Sequence, residues 1–181
     1  MEEIEVDILE IDVEEITSKL KSLGAKKSFE GRIDSLYFDF NNKSLDKNHE
    51  LLRLRKKGHE CTLTLKKKTK VKNDSMEDCE EEYDVTIENF EKARLLLEQL
   101  GLIECQTDSR DRICYKLKNS AVNINIYDNI PPFLEVKSEN ELELKEILKA
   151  LGFSLSNVKC TCEKDVVAHY AHIFPTTTRM P

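Results

Sequence analysis

The sequence predicts an α+β domain built on a repeated strand–helix–strands unit. Three observations point there. Several segments alternate charged and apolar residues with period two, the pattern of half-buried strands. Two helical stretches end on the same dipeptide, Leu23-Gly24 and Leu100-Gly101, and each leads into a strand. No glycine-rich phosphate loop is present, and five glycines in 181 residues do not suggest a doubly wound dinucleotide fold.

A chain of 181 residues is expected to form one domain. Charged residues make up 35% and hydrophobic ones 39%, enough apolar content for one core and against disorder. The net charge of −7 argues against a nucleic-acid binder, which would usually be basic. No apolar run reaches the roughly eighteen residues of a membrane helix. Residues 1–15 lack the basic start and apolar run of a secretory signal, so a cytoplasmic protein is expected. Cys61, Cys79, Cys105, Cys114, Cys160 and Cys162 are therefore read as reduced thiols. Cys160-Thr-Cys162, with His169 and His172 downstream, comes nearest to a zinc spacing, but zinc sites usually show paired CxxC or HxxxH ligands. These histidines, with His49 and His59, are read as surface or packing residues.

The elements follow in order. Glu3 to Ile8 alternates as a strand, with Ile4, Val6 and Ile8 on one face and Glu3, Glu5 and Asp7 on the other. Asp12 and Glu15 form a capping box for a helix carrying Val13, Ile16, Leu20 and Leu23. A strand runs from Ile33 to Phe40, and 41–48 read as loop. Leu51 to Arg55 is a strand with Arg53 and Arg55 on one side. Cys61 to Lys66 is another, with Lys66 and Lys68 on the side of its threonines. Lys67 to Ser75 is a basic link that could close over a binding site. Glu80 to Val85 puts Glu80, Glu82 and Asp84 on one face. Asn89 caps a helix ending at Gly101. Strands follow at about 109–118, 121–128 and 132–137. A helix from Glu139 to Leu151 stops at Gly152, a short helix spans Cys162 to Tyr170, and residues 173–181 read as a loose tail.

The charged faces admit two arrangements. They could meet solvent on an open antiparallel sheet with helices behind. The sheet could instead close, with the charges lining its interior. Alternation alone is compatible with both. The charges are also sorted by sign: Arg53, Arg55, Lys66, Lys68, Arg110 and Arg112 on some strands, and Glu3, Glu5, Glu80, Glu82, Asp128 and Glu135 on others. An interior holding both signs is costly unless a ligand or ions complete it. A polyphosphate with a divalent cation would do so, since arginine forks bind phosphate oxygens and carboxylates bind Mg²⁺ or Mn²⁺. Spacings of the ExE and RxR type aim two side chains at one ion or one phosphate chain.

With these motifs in their order and spacing, the chain resembles the CYTH superfamily, the triphosphate tunnel metalloenzymes. The residues concerned are Glu3-Ile4-Glu5, Leu52-Arg53-Leu54-Arg55, Leu63-Thr64-Leu65-Lys66, Glu81-Glu82-Tyr83-Asp84, Arg110-Asp111-Arg112, Tyr127-Asp128 and Phe133-Leu134-Glu135-Val136. The ending Glu163 to Tyr170 is similar to the class IV adenylyl cyclase branch. The resemblance covers roughly residues 1–172 and implies a closed antiparallel barrel of about eight strands with flanking helices. It implies that Glu3, Glu5 and Glu135 bind Mg²⁺ or Mn²⁺. Arg53, Arg55, Lys66 and Arg112 would bind phosphates, and Glu82 and Asp128 would be tunnel acids. The substrate would be ATP, cyclised with release of pyrophosphate, or else thiamine triphosphate or tripolyphosphate, hydrolysed. A non-catalytic triphosphate binder is the other reading. Relatives are often dimers, so a homodimer is a reasonable expectation.

Two positions depart from the family pattern. ExExK at the N-terminus has Asp7 in place of its lysine, and the late ExE has Lys137 in place of its second glutamate. The expectation is an exchange of charges, in which Asp7 joins the acidic group and Lys137 supplies a phosphate contact. The alternatives are that both face elsewhere or that the site has decayed. Asp128 falls on the same strand parity as Ile124 and Ile126, so it needs a bulge or a strand end to face the acids.

Overall fold

A computed structural model describes residues 4–70 and 78–158 together with Val166, His169 and Tyr170, with backbone alone at 68–70 and 78–80. Glu3, the side chains of Lys68 and Glu80, the link at 71–75, Cys160, Cys162, His172 and the tail at 173–181 lie outside the described residues. The elements are β1 (Ile4–Ile8), α1 (Val13–Ser22), β2 (Lys26–Phe40), α2 (Ser44–Lys47), β3 (Glu50–Lys57), β4 (Glu60–Lys70) and β5 (Asp78–Ile87). They continue as α3 (Phe90–Gln99), β6 (Leu102–Leu117), β7 (Ser120–Ile126), β8 (Phe133–Ser138) and α4 (Glu141–Leu151). Val166, His169 and Tyr170 are helical where the last short helix is expected. No helix among the described residues is long and apolar enough to cross a membrane.

The helices begin where side chains can satisfy their first N–H groups. The Asp12 carboxylate accepts from the Glu15 N–H at 2.9 Å, and the Asn89 amide oxygen accepts from the Lys92 N–H at 2.9 Å. Asn140 caps α4 by accepting from Leu142 and Glu143, so that helix starts two residues later than expected. It stops at Gly152, whose φ of 92° only glycine adopts without strain.

The eight strands hydrogen-bond in the order β1-β8-β7-β6-β2-β3-β4-β5. That order is open, with β1 at one end and β5 at the other, so among the described residues no ladder closes the sheet into a barrel. Strands β2 and β6 are much longer than the expected 33–40 and 109–118. Their extra residues, 26–32 and 102–108, are mostly polar and lack clean alternation, so the ladder alone marks them as strand. Strand β7 stops at Ile126, two residues short of expectation, because 127–130 bend toward Pro131 and Pro132, which have no N–H to offer a ladder.

The chain divides into two compact units, Met1–Gly31 with Arg110–Thr178, and Arg32–Ser109. In the first, α1 and α4 cover the apolar face of β1, β8, β7 and the end of β6. Ile16 and Leu20 of α1 and Leu144, Ile147, Leu148 and Leu151 of α4 pack on Val6, Ile8, Leu134, Val136, Val122 and Ile124. In the second, Phe90, Ala93 and Leu97 of α3 pack with Leu102 against Leu36, Phe38, Leu52, Leu54, Leu63 and Ile87. Each unit thus buries one strand parity under helices, and the opposite parity carries the charges.

The turn after β2 is held by Asp39, whose carboxylate accepts from the backbone N–H groups of Phe40, Leu45 and Asp46 at 2.7, 3.0 and 3.1 Å. Burial alone would raise its pKa, but these three hydrogen bonds outweigh burial and hold the carboxyl below its ordinary value. A depressed folded pKa adds stability that is present above the unfolded value and is lost as pH falls through the folded one. Asp39→Asn should therefore cost about 1–2 kcal/mol in urea unfolding at pH 7. The gap to the wild type should shrink on acidification below about pH 4; a gap that stays constant with pH would show that the charge of Asp39 is not what holds the turn.

Candidate functional site

In the first unit, antiparallel register builds the polar face residue by residue. Glu5 pairs with Lys137 and Asp7 with Glu135 across β1 and β8, Glu135 pairs with Asn123 on β7, and Asn125 pairs with Arg112 on β6. All of these belong to the parity opposite the helix-covered core, so they share one face of the sheet. This face is largely buried: Asp7 is 0% exposed, Glu135 2%, Asn123 7% and Asn125 0%. Buried carboxylates need compensation, and Glu135 has it at both oxygens. Asn123 Nδ2 donates to Oε1 at 2.7 Å, and the Arg112 guanidinium donates to Oε2 at 3.2 Å. Arg112 is itself oriented by Nε donating to Asn125 Oδ1 at 2.5 Å.

Glu5, Asp7 and Glu135 each bring a carboxylate oxygen to within 4.8 Å of the others. Lys137 Nζ sits 2.7 Å from Glu5 Oε2. Asp7 is therefore in the acidic group, and Lys137 reaches into the same group. Clustered hard oxygens with one partly accessible member are a donor set suited to a small divalent cation such as Mg²⁺ or Mn²⁺. Glu3 lies outside the described residues.

At the margin of this face, Phe133 stacks on Tyr127 with ring centroids 6.0 Å apart and packs with Val166 and Tyr170. The guanidinium of Arg110, wholly buried, lies 5.7 Å from the Tyr127 centroid, a cation–π contact. Tyr170 donates its hydroxyl to Glu10 at 2.9 Å. Asp128 follows in an exposed bend beyond the end of β7, so a strand end, not a bulge, releases it from the parity of Ile124 and Ile126.

In the second unit, the polar parity gathers Ser35, Arg53, Arg55, Thr62, Thr64, Lys66, Glu82 and Asp84 through the ladders of β2 to β5. Lys66 Nζ lies 3.1 Å from Glu82 Oε2 and Arg53 Nη2 lies 3.7 Å from Glu82 Oε1, so one carboxylate sits between two cations. The side chains of Arg53 and Lys66 are only 12% and 22% exposed. The Nε of Arg53 is buried and has no hydrogen-bond partner among the described residues. Arg55 Nε donates to Ser35 Oγ at 3.4 Å, and Thr64 Oγ1 donates to Asp84 Oδ1 at 2.5 Å. Arg53, Arg55 and Lys66 are partly buried on this face, whereas Glu82 and Asp84 on β5 are exposed.

The residues expected to share one interior divide between the two units: Glu5, Asp7, Arg112, Glu135 and Lys137 share a face of the first, and Arg53, Arg55, Lys66 and Glu82 a face of the second. Sequence reasoning missed Asn123 and Asn125, which hold Glu135 and Arg112. The signal was there: asparagine is disfavoured in strands, and two on one parity between Val122, Ile124 and Ile126 mark a polar face with specific partners.

The chain is similar to several known proteins. A Methanocaldococcus jannaschii protein named "putative adenylate cyclase" is 29% identical over 170 residues, covering 87% of this chain and 94% of that protein. A solved structure from Vibrio parahaemolyticus under the same name superposes with a TM-score of 0.73 at 15% identity, covering 92% of this chain and 97% of the other. A Hippeastrum protein, also so named and described as having a dominant triphosphatase activity, superposes with a TM-score of 0.63 at 15% identity, covering 98% and 100%. Residues 1–161 match the model of the CYTH domain, and the chain belongs to that family.

Proposed function

We propose that this protein is a metal-dependent enzyme acting on a triphosphate, with adenylyl cyclase chemistry: ATP to cyclic AMP and pyrophosphate. The observation that carries the reading is the burial of both signs of charge on sheet faces, with the three carboxylates of Glu5, Asp7 and Glu135 within 4.8 Å of one another. A solvated surface has no need of that arrangement, whereas an anionic chain and its cation complete it. In this reading Glu5, Asp7 and Glu135, with Glu3, hold Mg²⁺ or Mn²⁺. Arg53, Arg55, Lys66, Arg112 and Lys137 bind phosphate oxygens, and Glu82 and Asp128 position the cations. The tunnel-forming closed barrel, a single domain over about residues 1–172, a cytoplasmic location and a homodimer belong to the same reading.

When bound, the metal would neutralise phosphate charge as a Lewis acid. The chain's own residues do the rest. Arg53 and Arg112 present planar forks that fix non-bridging oxygens, and Lys66 adds a point charge. Glu82, between Arg53 and Lys66, holds both side chains in place before substrate arrives. Cyclisation forms a bond from the ribose 3′-oxygen to the α-phosphorus and breaks the bond to pyrophosphate, with the hydroxyl proton lost to solvent or to a carboxylate. No side-chain nucleophile is needed, since phosphoryl transfer depends on positioning and charge.

Hydrolysis is the second reading, favoured by the triphosphatase activity ascribed to the Hippeastrum protein. It would use the same cations, with water attacking the terminal phosphorus. A panel of ATP, thiamine triphosphate and tripolyphosphate in Mg²⁺ and in Mn²⁺, with pyrophosphate and phosphate assayed separately, separates the two. Cyclase chemistry predicts pyrophosphate and cyclic AMP in equal amounts from ATP. Phosphate release without cyclic AMP, accompanied by pyrophosphate only when tripolyphosphate is the substrate, would establish the hydrolase, and tight binding without turnover of any of the three would leave only a binder.

Replacing Arg53 or Lys66 by alanine should lower kcat/KM by about a hundredfold or more, as expected for losing a charged contact to the transferring group. Arg53→Lys should recover only part, because the charge returns without the fork. Wild-type kinetics in Arg53→Ala would remove that residue from the phosphate site.

A further inference from the structure

We infer that Lys137 stands in for a second metal ion, so that the acidic group takes a single divalent cation. The inference rests on the metal-site reading above and concerns how many ions that site admits. Lys137 Nζ contacts Glu5 Oε2 at 2.7 Å, and Glu5 belongs to the group of three carboxylates whose oxygens lie within 4.8 Å of one another. An ammonium placed there does what a cation would: it neutralises one carboxylate and offers further N–H donors to an oxygen anion opposite. Register fixes the placement, because Lys137 is the cross-strand partner of Glu5 while Glu135 is that of Asp7. One end of the acidic group is therefore occupied by a covalently tethered positive charge.

Charge counting gives the consequence. Glu5, Asp7 and Glu135 supply three negative charges, and Lys137 and Arg112, in direct contact with Glu5 and Glu135, supply two positive ones. The formal charges of these five residues sum to one negative, or two with Glu3, which the reading above places in the group. One divalent ion brings the sum to one net positive charge, or to zero with Glu3. A second ion would add two more positive charges within a few ångströms of an ammonium and a guanidinium, where repulsion amounts to several kcal/mol at a partly screened site. Exposure agrees with the division of roles. Lys137 and Glu5 are 29% and 22% exposed at their side chains, so a phosphate can reach the ammonium, whereas Asp7 and Glu135 lie beneath at 0% and 2%.

The test counts ions on the full chain with no substrate present, using the loss of the free Mn²⁺ electron paramagnetic resonance signal on titration. The wild type should bind one Mn²⁺ per chain. Lys137→Gln should bind its first Mn²⁺ at least about tenfold more tightly, since a unit charge in contact is gone, and Lys137→Glu should take up a second ion. Lys137→Arg keeps the charge and should keep the wild-type count, and Lys118→Gln, on an exposed pair with Glu146, is the control. Thermal unfolding of each variant, followed by circular dichroism, identifies any that fail to fold, and the wild-type count, one ion against two, decides if the neutral and acidic variants do. Two ions on the wild type, or equal affinity in wild type and Lys137→Gln, would overturn the inference while leaving the metal site standing. No Mn²⁺ on wild type, Lys137→Gln or Lys137→Glu would overturn the metal-site reading itself.

Discussion

The ion-paired burial of Glu135 is the constraint on which the acidic group of the first unit depends. A carboxylate 2% exposed in a protein interior carries a desolvation cost of several kcal/mol unless its oxygens are satisfied. Arg112 and Asn123 satisfy one oxygen each. That pairing fixes the carboxylate plane and holds Arg112 in place, which in turn is anchored by Asn125. Because Asp7 is directly across the ladder from Glu135, whatever fixes Glu135 also fixes the distance between two like charges. Carboxylates held this close suit a cation, and the pairing of Glu135 with Arg112 and Asn123 acts with the ladder to set their spacing.

The rigidity comes from the other side of the same strands. A strand exposes alternate residues to opposite faces, so the register that seats Val6, Val136, Val122 and Leu134 against α1 and α4 is also the register that lines up Glu5, Asp7, Glu135 and Asn123. A slip of one residue would exchange the faces and bury valines where the charges belong. The apolar core therefore acts as the specification for the polar site. The second unit repeats the device with α3, where Leu52 and Leu54 under the helix fix Arg53 and Arg55 on the far side.

This coupling explains what could be read from the residues alone. Glu5 and Asp7, Arg53 and Arg55, and Lys66 stand in short segments of clean alternation, so assigning the strand assigns the face. The ends of elements were less legible. Asp128 depends on where β7 stops, which prolines beyond it decide, and the extensions of β2 and β6 have no alternation to announce them. Whether charged faces meet water was not legible either. Alternation reports that two faces differ, whereas burial of the polar one depends on what the rest of the chain brings near it, and no local pattern encodes that. The roles of Asn123 and Asn125 were hidden for a related reason. An uncharged amide acquires meaning only through its partner, and the partner lies on another strand.

The two departures from the family pattern are best understood together. In the pattern that the sequence resembles, position 7 is basic and position 137 acidic; here each has the opposite sign. The exchange leaves the total charge of the face unchanged. In the ladder, Glu5 faces Lys137 and Asp7 faces Glu135, so positions 7 and 137 are diagonal neighbours on adjacent rows, close enough for their charges to interact. Moving a positive charge from β1 to β8 and a negative one the other way therefore shifts the centre of positive charge by one row without altering the sum. A site losing its function by random substitution has no reason to keep that sum, nor to place the new lysine within 2.7 Å of a carboxylate of the same group. In the proposed reading the pair is one electrostatic solution, with the buried acids at Asp7 and Glu135 and the ammonium at the more open end beside Glu5.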